Sequence, residues 1–199
     1  MKKIIYAGLF SLLASTSASA LTITNGSFET GDLATWANSN TTVTTIDAGY
    51  AATDGSYFAK ITSNGLILNS QIWDEGEKLS FDWNFNTTDY MPFNDYSFLK
   101  ITDILGNVID DITLADVSSV GNYGATDWQN YVYTFAETGS GLISFGVANA
   151  GDNYVNSYLY VDNVSVAAPA SLTLLGLALF GFAFSSRRKV RFTPIVLNI

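Results

Sequence analysis

The 199-residue chain contains no cysteine and no histidine. The first absence excludes disulfides and thiolate metal sites. The second excludes a histidine general base, a Ser-His-Asp triad and a His-ligated zinc or copper centre. Basic residues are almost missing from the middle of the chain. Of nine, Lys2 and Lys3 stand at the start and Arg187, Arg188, Lys189 and Arg191 near the end, which leaves only Lys60, Lys78 and Lys100. All eighteen carboxylates lie between these terminal clusters. Three lysines against eighteen acids give residues 21–166 a formal charge of −15. Such a surface repels nucleic acid and suits divalent cations and neutral or cationic partners. No Gly-x-Ser-x-Gly elbow, P-loop, dinucleotide fingerprint or EF-hand loop occurs.

Long, predominantly apolar uncharged runs flanked by basic residues occur only at the two ends. Residues 1–20 combine Lys2 and Lys3, an apolar stretch from 4 to 14 and the small-residue site Ala18-Ser19-Ala20, the pattern of a secretory signal peptide. Near the other end, Ala168-Pro169-Ala170 precedes an apolar run over 171–184, and Arg187, Arg188 and Lys189 follow it. At a helical rise of about 1.5 Å per residue, residues 167–184 span about 27 Å, close to a bilayer core of about 30 Å. Basic residues just beyond an apolar span stay cytoplasmic. The expected organisation is therefore a signal peptide over 1–20, one exported domain over 21–166, a membrane and sorting segment over 167–191 and a short cytoplasmic tail over 192–199.

The domain reads as all-β. Residues 78–86 alternate Leu79, Phe81, Trp83 and Phe85 with Ser80, Asp82 and Asn84, a half-buried strand with an aromatic inner face. Residues 96–102 and 107–113 read as strands around Gly106-Asn107. Residues 56–62 and 66–72 read as a hairpin across Asn64-Gly65. Residues 128–136 and 141–149 read as a pair across Gly139-Ser140-Gly141. In the last strand, 157–166, the apolar positions shift from Leu159 and Val161 to Val164 and Val166, which predicts a bulge at Asp162-Asn163. About ten short strands without an amphipathic helix predict an antiparallel β-sandwich. Trp36, Trp73, Trp83 and Trp128 are expected in its core.

Two families are similar to parts of this pattern. The C-terminal end resembles the PEP-CTERM sorting domain of Gram-negative bacteria, although Ala168-Pro169-Ala170 stands where that family has Pro-Glu-Pro. The resemblance implies recognition by an exosortase, membrane insertion through residues 171–186, removal of the tail and delivery to the cell surface or extracellular matrix beside exopolysaccharide. The segments Asn25-Gly26-Ser27-Phe28-Glu29 with Trp36, and Tyr160-Val161-Asp162-Asn163-Val164, resemble the first and last strands of galactose-binding-like jelly rolls, which include carbohydrate-binding modules. That resemblance implies a jelly roll with one structural calcium near the ends of those strands, and makes Glu29, Asp54 and Asp162 candidate ligands, with the Gly55 carbonyl as an addition.

Sugar faces stack on aromatic rings flanked by planar polar groups. Tyr90, Phe93 and Tyr154 lie in loops beside Asn94 and Asp95 and form the candidate binding set. The expected role is a non-enzymatic exported surface or matrix protein associated with polysaccharide. A specific carbohydrate-binding module is the alternative, and a surface glycoside hydrolase with two facing carboxylates ranks third. Intact mass of the protein from its native host tests the processing: a form running from Leu21 to near Pro169 is expected, whereas one that retains Ile199 would make the tail a permanent anchor.

Overall fold

The structure is a computed structural model and describes residues 23–167. Both proposed terminal helices lie outside the described residues. Within them, no helix is long and apolar enough to cross a membrane. The elements are strands β1 (Ala37–Thr44), β2 (Ile46–Asp47), β3 (Tyr50–Ala51), β4 (Phe58–Trp73), β5 (Lys78–Thr87), β6 (Tyr96–Asp103) and β7 (Val108–Asp116), the single helical turn α1 (Val117–Val120), and strands β8 (Gln129–Thr134), β9 (Gly139–Ala148) and β10 (Ser157–Ala167). Every pairing is antiparallel, in the order β7-β6-β9-β4-β10-β5-β8, with β1 added to β4. The sheet folds over on itself into a β-sandwich jelly roll, and β7, β8 and β1 each have one unpaired edge.

The fold-over happens within β4. Its first part pairs with β10, from Ala59↔Val161 to Thr62↔Tyr158, and its second with β9, from Leu66↔Gly146 to Trp73↔Gly139. Asn64, with φ 59°, and Gly65 separate the two parts. Asparagine tolerates this left-handed conformation better than most residues. The two parts do not pair with each other, so the hairpin expected across Asn64-Gly65 is not formed. The same turn chemistry instead passes one strand from layer to layer. β1 follows it, with Asn40 at φ 46° and a register shift between Ser39 and Thr41.

β8 and β9 also do not pair with each other. β8 is joined to β5, and β9 lies between β4 and β6. Residues 139–141 belong to β9 rather than to a turn. Alternation marks which residues face inward, but it does not identify the neighbouring strand. The expected bulge is present: the β10–β5 register shifts between Asp162 and Ser165, with Asn163 at φ 51°.

Leu79, Phe81, Phe85, Ile143, Phe145, Leu159 and Val161 fill the space between the layers. Phe81 meets Phe145 edge-on across it at 4.7 Å. Trp36, Trp73 and Trp83 belong to this core. Trp128 does not. It packs with Phe58 and Tyr160 on the outer side of the β10 layer, beneath β2 and β3. There the Tyr160 hydroxyl donates to Asp47 at 2.5 Å, and Lys60 pairs with the same carboxylate at 2.8 Å.

The segment before β1 is stitched to the last strand. The Val164 amide donates to the Gly26 carbonyl at 3.0 Å, and a Cβ added at Gly26 would overlap the Val164 carbonyl. Gly26→Ala is therefore expected to destabilise the fold by about 1–3 kcal/mol, as overpacking at a tight contact does. Urea unfolding measures it, and a loss below about 0.5 kcal/mol would mean the contact opens freely.

Candidate functional site

Two regions carry the candidate residues. The first joins Glu29, Asp54 and Asp162. Glu29 Oε1 accepts the amides of Ser56 (2.9 Å) and Tyr57 (2.8 Å). Its carboxylate lies so close to Gly55, at φ 69°, that a Cβ there would overlap it. Asp162 is fully buried. Its Oδ2 accepts the Thr53 amide (2.7 Å), the Thr53 hydroxyl (3.0 Å) and the Asp54 amide (3.0 Å), while Oδ1 accepts the Asn163 amide. Burial pushes the Asp162 carboxyl up, against the pull of those bonds. Asp54 Oδ2 accepts the Ser27 hydroxyl at 2.7 Å.

The three carboxylates thus converge on one loop, 53–57, from the first and last parts of the domain. Backbone amides already point at Oε1 of Glu29 and Oδ2 of Asp162. Among the described residues no three acidic side chains form a group that could hold a metal ion. As arranged, these residues act as hydrogen-bonded clamps on the 53–57 loop.

The second region is the end of the sandwich where β4 changes layers. Asp95 is fully buried at its centre. Its Oδ2 accepts the hydroxyls of Ser157 (2.7 Å) and Ser63 (3.4 Å), and Oδ1 accepts the Ala150 amide (2.8 Å). Its carbonyl accepts the Val117 amide. Asp95 is therefore a hub beneath the surface that ties β4, β10, α1 and the 149–156 loop together. Asn94 is also engaged: it accepts from the Ser118 amide at 2.8 Å and donates to Asp116 at 3.2 Å, next to the cap of α1.

The rings sit above this base. Tyr90 meets Phe93 edge-on at 5.4 Å and Tyr123 at 5.7 Å. Phe93 lies against Gly151. The loop 88–95 is held by the Thr88 hydroxyl donating to the Asn156 carbonyl (2.7 Å), the Met91 amide to Asn122 (2.9 Å), and the Tyr123 amide to the Asp89 carbonyl (2.8 Å). The 149–156 loop is tied to the β4 corner by Asn64 donating to Asn153 at 3.0 Å. Four tyrosines remain open to solvent: Tyr96 at 38%, at the start of β6, and in the loops Tyr90 at 40%, Tyr123 at 67% and Tyr154 at 92%. Tyr123 has no place in the sequence-derived set. Its signal was an aromatic residue between Asn122 and Gly124 in a polar stretch.

Aromatic residues also line a cavity at the opposite end, with Trp73, Tyr133 and Phe135 among them. There Trp73 and Phe135 are buried and stacked on each other at 4.6 Å, so their faces are already covered.

No family model and no curated protein matches the chain. Solved structures do. The carbohydrate-binding module TmCBM61, solved in complex with beta-1,4-galactotriose, aligns with 75% of this chain and 99% of its own at 17% identity and a TM-score of 0.51. The K1 cleaved adhesin domain of Lys-gingipain from Porphyromonas gingivalis W83 aligns with 75% of this chain and 98% of its own, at 15% identity and a TM-score of 0.46. The CBM22-1 xylan-binding domain of Paenibacillus barcinonensis Xyn10C aligns with 74% and 95%, at 14% identity and a TM-score of 0.42. The first of these likenesses establishes the β-sandwich fold.

Asp89 is the titratable group of this end. It is fully buried, Oδ1 accepts the Tyr90 amide at 2.8 Å, and Oδ2 has no partner. Burial pushes its carboxyl up, the Tyr90 amide opposes this, and the charges of Asp95 and Asp152 add to the rise. A raised carboxyl in the folded state means its contribution is fully present below the unfolded value and is lost as pH rises through the folded one. Asp89→Asn is expected to raise the unfolding temperature at pH 7 and to change it little at pH 4. Melts across this range test it, and an equal effect at both pH values would overturn the reading.

Proposed function

We propose that the protein is a non-catalytic, exported glycan-binding domain that contacts neutral polysaccharide through the Tyr90–Tyr123–Tyr154 end. The observation that carries this reading is the exposure of the loop tyrosines Tyr90, Tyr123 and Tyr154 above a base fixed by buried hydrogen bonds. A pyranose ring presents a C–H face that packs on an aromatic ring, and its hydroxyls need planar polar partners. Asn122, Asn153 and Asp152 lie in the same loops as the exposed rings. A preformed platform loses little side-chain entropy on binding. The acidic surface favours a neutral or cationic glycan over an anionic one.

A hydrolase is the weaker reading. Glycoside hydrolysis needs two carboxylates that reach the glycosidic bond from either side. At this end Asp89 and Asp95 are both fully buried and face the protein. In the same proposal, the signal peptide exports the domain, and residues 171–186 insert in the membrane until an exosortase-type enzyme acts on the tail. The domain then serves at the cell surface or in an extracellular matrix rich in polysaccharide.

Affinity electrophoresis of the full chain through gels containing β-1,4-galactan, xylan or the host's own exopolysaccharide tests the binding. Retardation is expected in at least one gel. Tyr154→Ala and Tyr90→Ala should each weaken it by about three- to tenfold, the loss of one stacking contact. Tyr154→Ala should leave the unfolding temperature unchanged, because the ring is exposed. Free migration in every gel, or retardation that both variants retain in full, would overturn the assignment.

A further inference from the structure

The two ends of the sandwich expose different chemistry. The corner end exposes tyrosines. The opposite end exposes aliphatic side chains: Ile72 at the end of β4, Ile104 and Leu105 in the β6–β7 turn, and Val108 and Ile109 at the start of β7. The registers place these at the same end of one layer, across β4, β9, β6 and β7, through Ile72↔Ser140, Gly141↔Asp103 and Thr102↔Val108.

The β6–β7 turn is built to hold its tip outward. Asp103 Oδ1 accepts the amides of Leu105 and Asn107, both at 2.8 Å, and Oδ2 accepts the Asn107 side-chain amide at 2.7 Å. The Gly106 amide closes the turn on the Asp103 carbonyl at 3.1 Å. Ile104 and Leu105 therefore stand 76% and 82% exposed on a fixed turn. Exposed aliphatic side chains gathered at one end in this way mark an interaction surface.

The position at which the chain leaves the sheet identifies the occupant. β10 ends at Ala167, which pairs with Lys78, and Lys78 pairs with Thr134. Glu77 and Phe135 exchange a backbone hydrogen bond beside Trp73, the last residue of β4. Ala167 thus leaves at the aliphatic end. Only residues 168–170 separate it from the uncharged run 171–184, and three residues reach at most about 10 Å.

We infer that the aliphatic end rests on the lipid surface into which residues 171–184 insert, with Ile104 and Leu105 in the interface and the tyrosine end facing outward. The inference depends on the membrane reading of the C-terminal segment. Asp74, Glu75, Asp110, Asp111 and Glu137 lie at the same end, so the partner is a zwitterionic rather than an anionic bilayer.

The chain has no cysteine, so single labels can be placed by Leu105→Cys, Tyr154→Cys and Leu177→Cys. Each full-length variant would carry a nitrobenzoxadiazole fluorophore in phosphatidylcholine liposomes doped with nitroxide lipids. Shallow nitroxides are expected to quench the label at position 105 at least about threefold more than that at 154, and deep nitroxides to quench the label at 177. Quenching at 177 with equal, weak quenching at 105 and 154 would overturn this inference and leave the membrane reading standing. No quenching at 177 would overturn the membrane reading and the inference with it.

Discussion

β4 passes from one layer of this protein to the other with β1 alongside it, and the placement of the other strands follows from that. β4 pairs with β10 before Asn64 and with β9 after Gly65. A strand that changes layers must leave backbone groups without ladder partners at the corner, and buried groups of that kind are costly. Side chains fill the gap. Ser63 accepts the Ser157 amide at 2.7 Å, and Asp95 accepts from Ser63, Ser157 and Ala150. The corner therefore gathers the ends of several strands and loops around one buried carboxylate. The loops above it inherit that rigidity, which is why the rings of Tyr90 and Phe93 have a fixed floor.

The opposite end is organised by a different constraint. No strand changes layers there, and the connections are short turns. Their exposed side chains are free to be aliphatic because the backbone is satisfied locally, as at Asp103. The molecule is thus polarised along its strands, with aromatic and amide groups at one end and aliphatic groups at the other. The proposed roles in glycan contact and membrane seating use these two ends separately, so neither competes for the other's residues.

Much of the fold was legible in the chain because local physics decides it. The alternation of Leu79, Phe81, Trp83 and Phe85 marked β5 and its inner face, and the phase change from Val161 to Val164 marked the bulge. Partner choice was not legible. Asn64-Gly65 carries the chemistry of a two-residue turn, but the left-handed Asn64 serves a change of layer equally well. β8 and β9 are consecutive, yet β8 pairs with β5 while β9 lies between β4 and β6. The candidate site divided in the same way. Tyr90 and Tyr154 were visible as loop aromatics. The burial of Asp95 and the engagement of Asn94 were not, because their donors lie as far away as Ala150 and Ser157 in sequence. Glu29, Asp54 and Asp162 meet at one loop, and the amides that Glu29 and Asp162 accept there come from residues 53–57, far from either carboxylate in sequence.

The free edges of the sheet have a consequence for crowding. An exposed edge strand is a template for pairing with another copy, and the hazard grows with local density. β7 breaks its ladder with register shifts near both ends and carries Asp110 and Asp111 in succession. β8 is only six residues long, and β1 is broken by a register shift between Ser39 and Thr41. A second molecule approaching any of these edges would meet an irregular ladder or a short one. None offers the long flat register that cross-β assembly requires, so copies packed side by side can stay individually folded instead of growing into fibres.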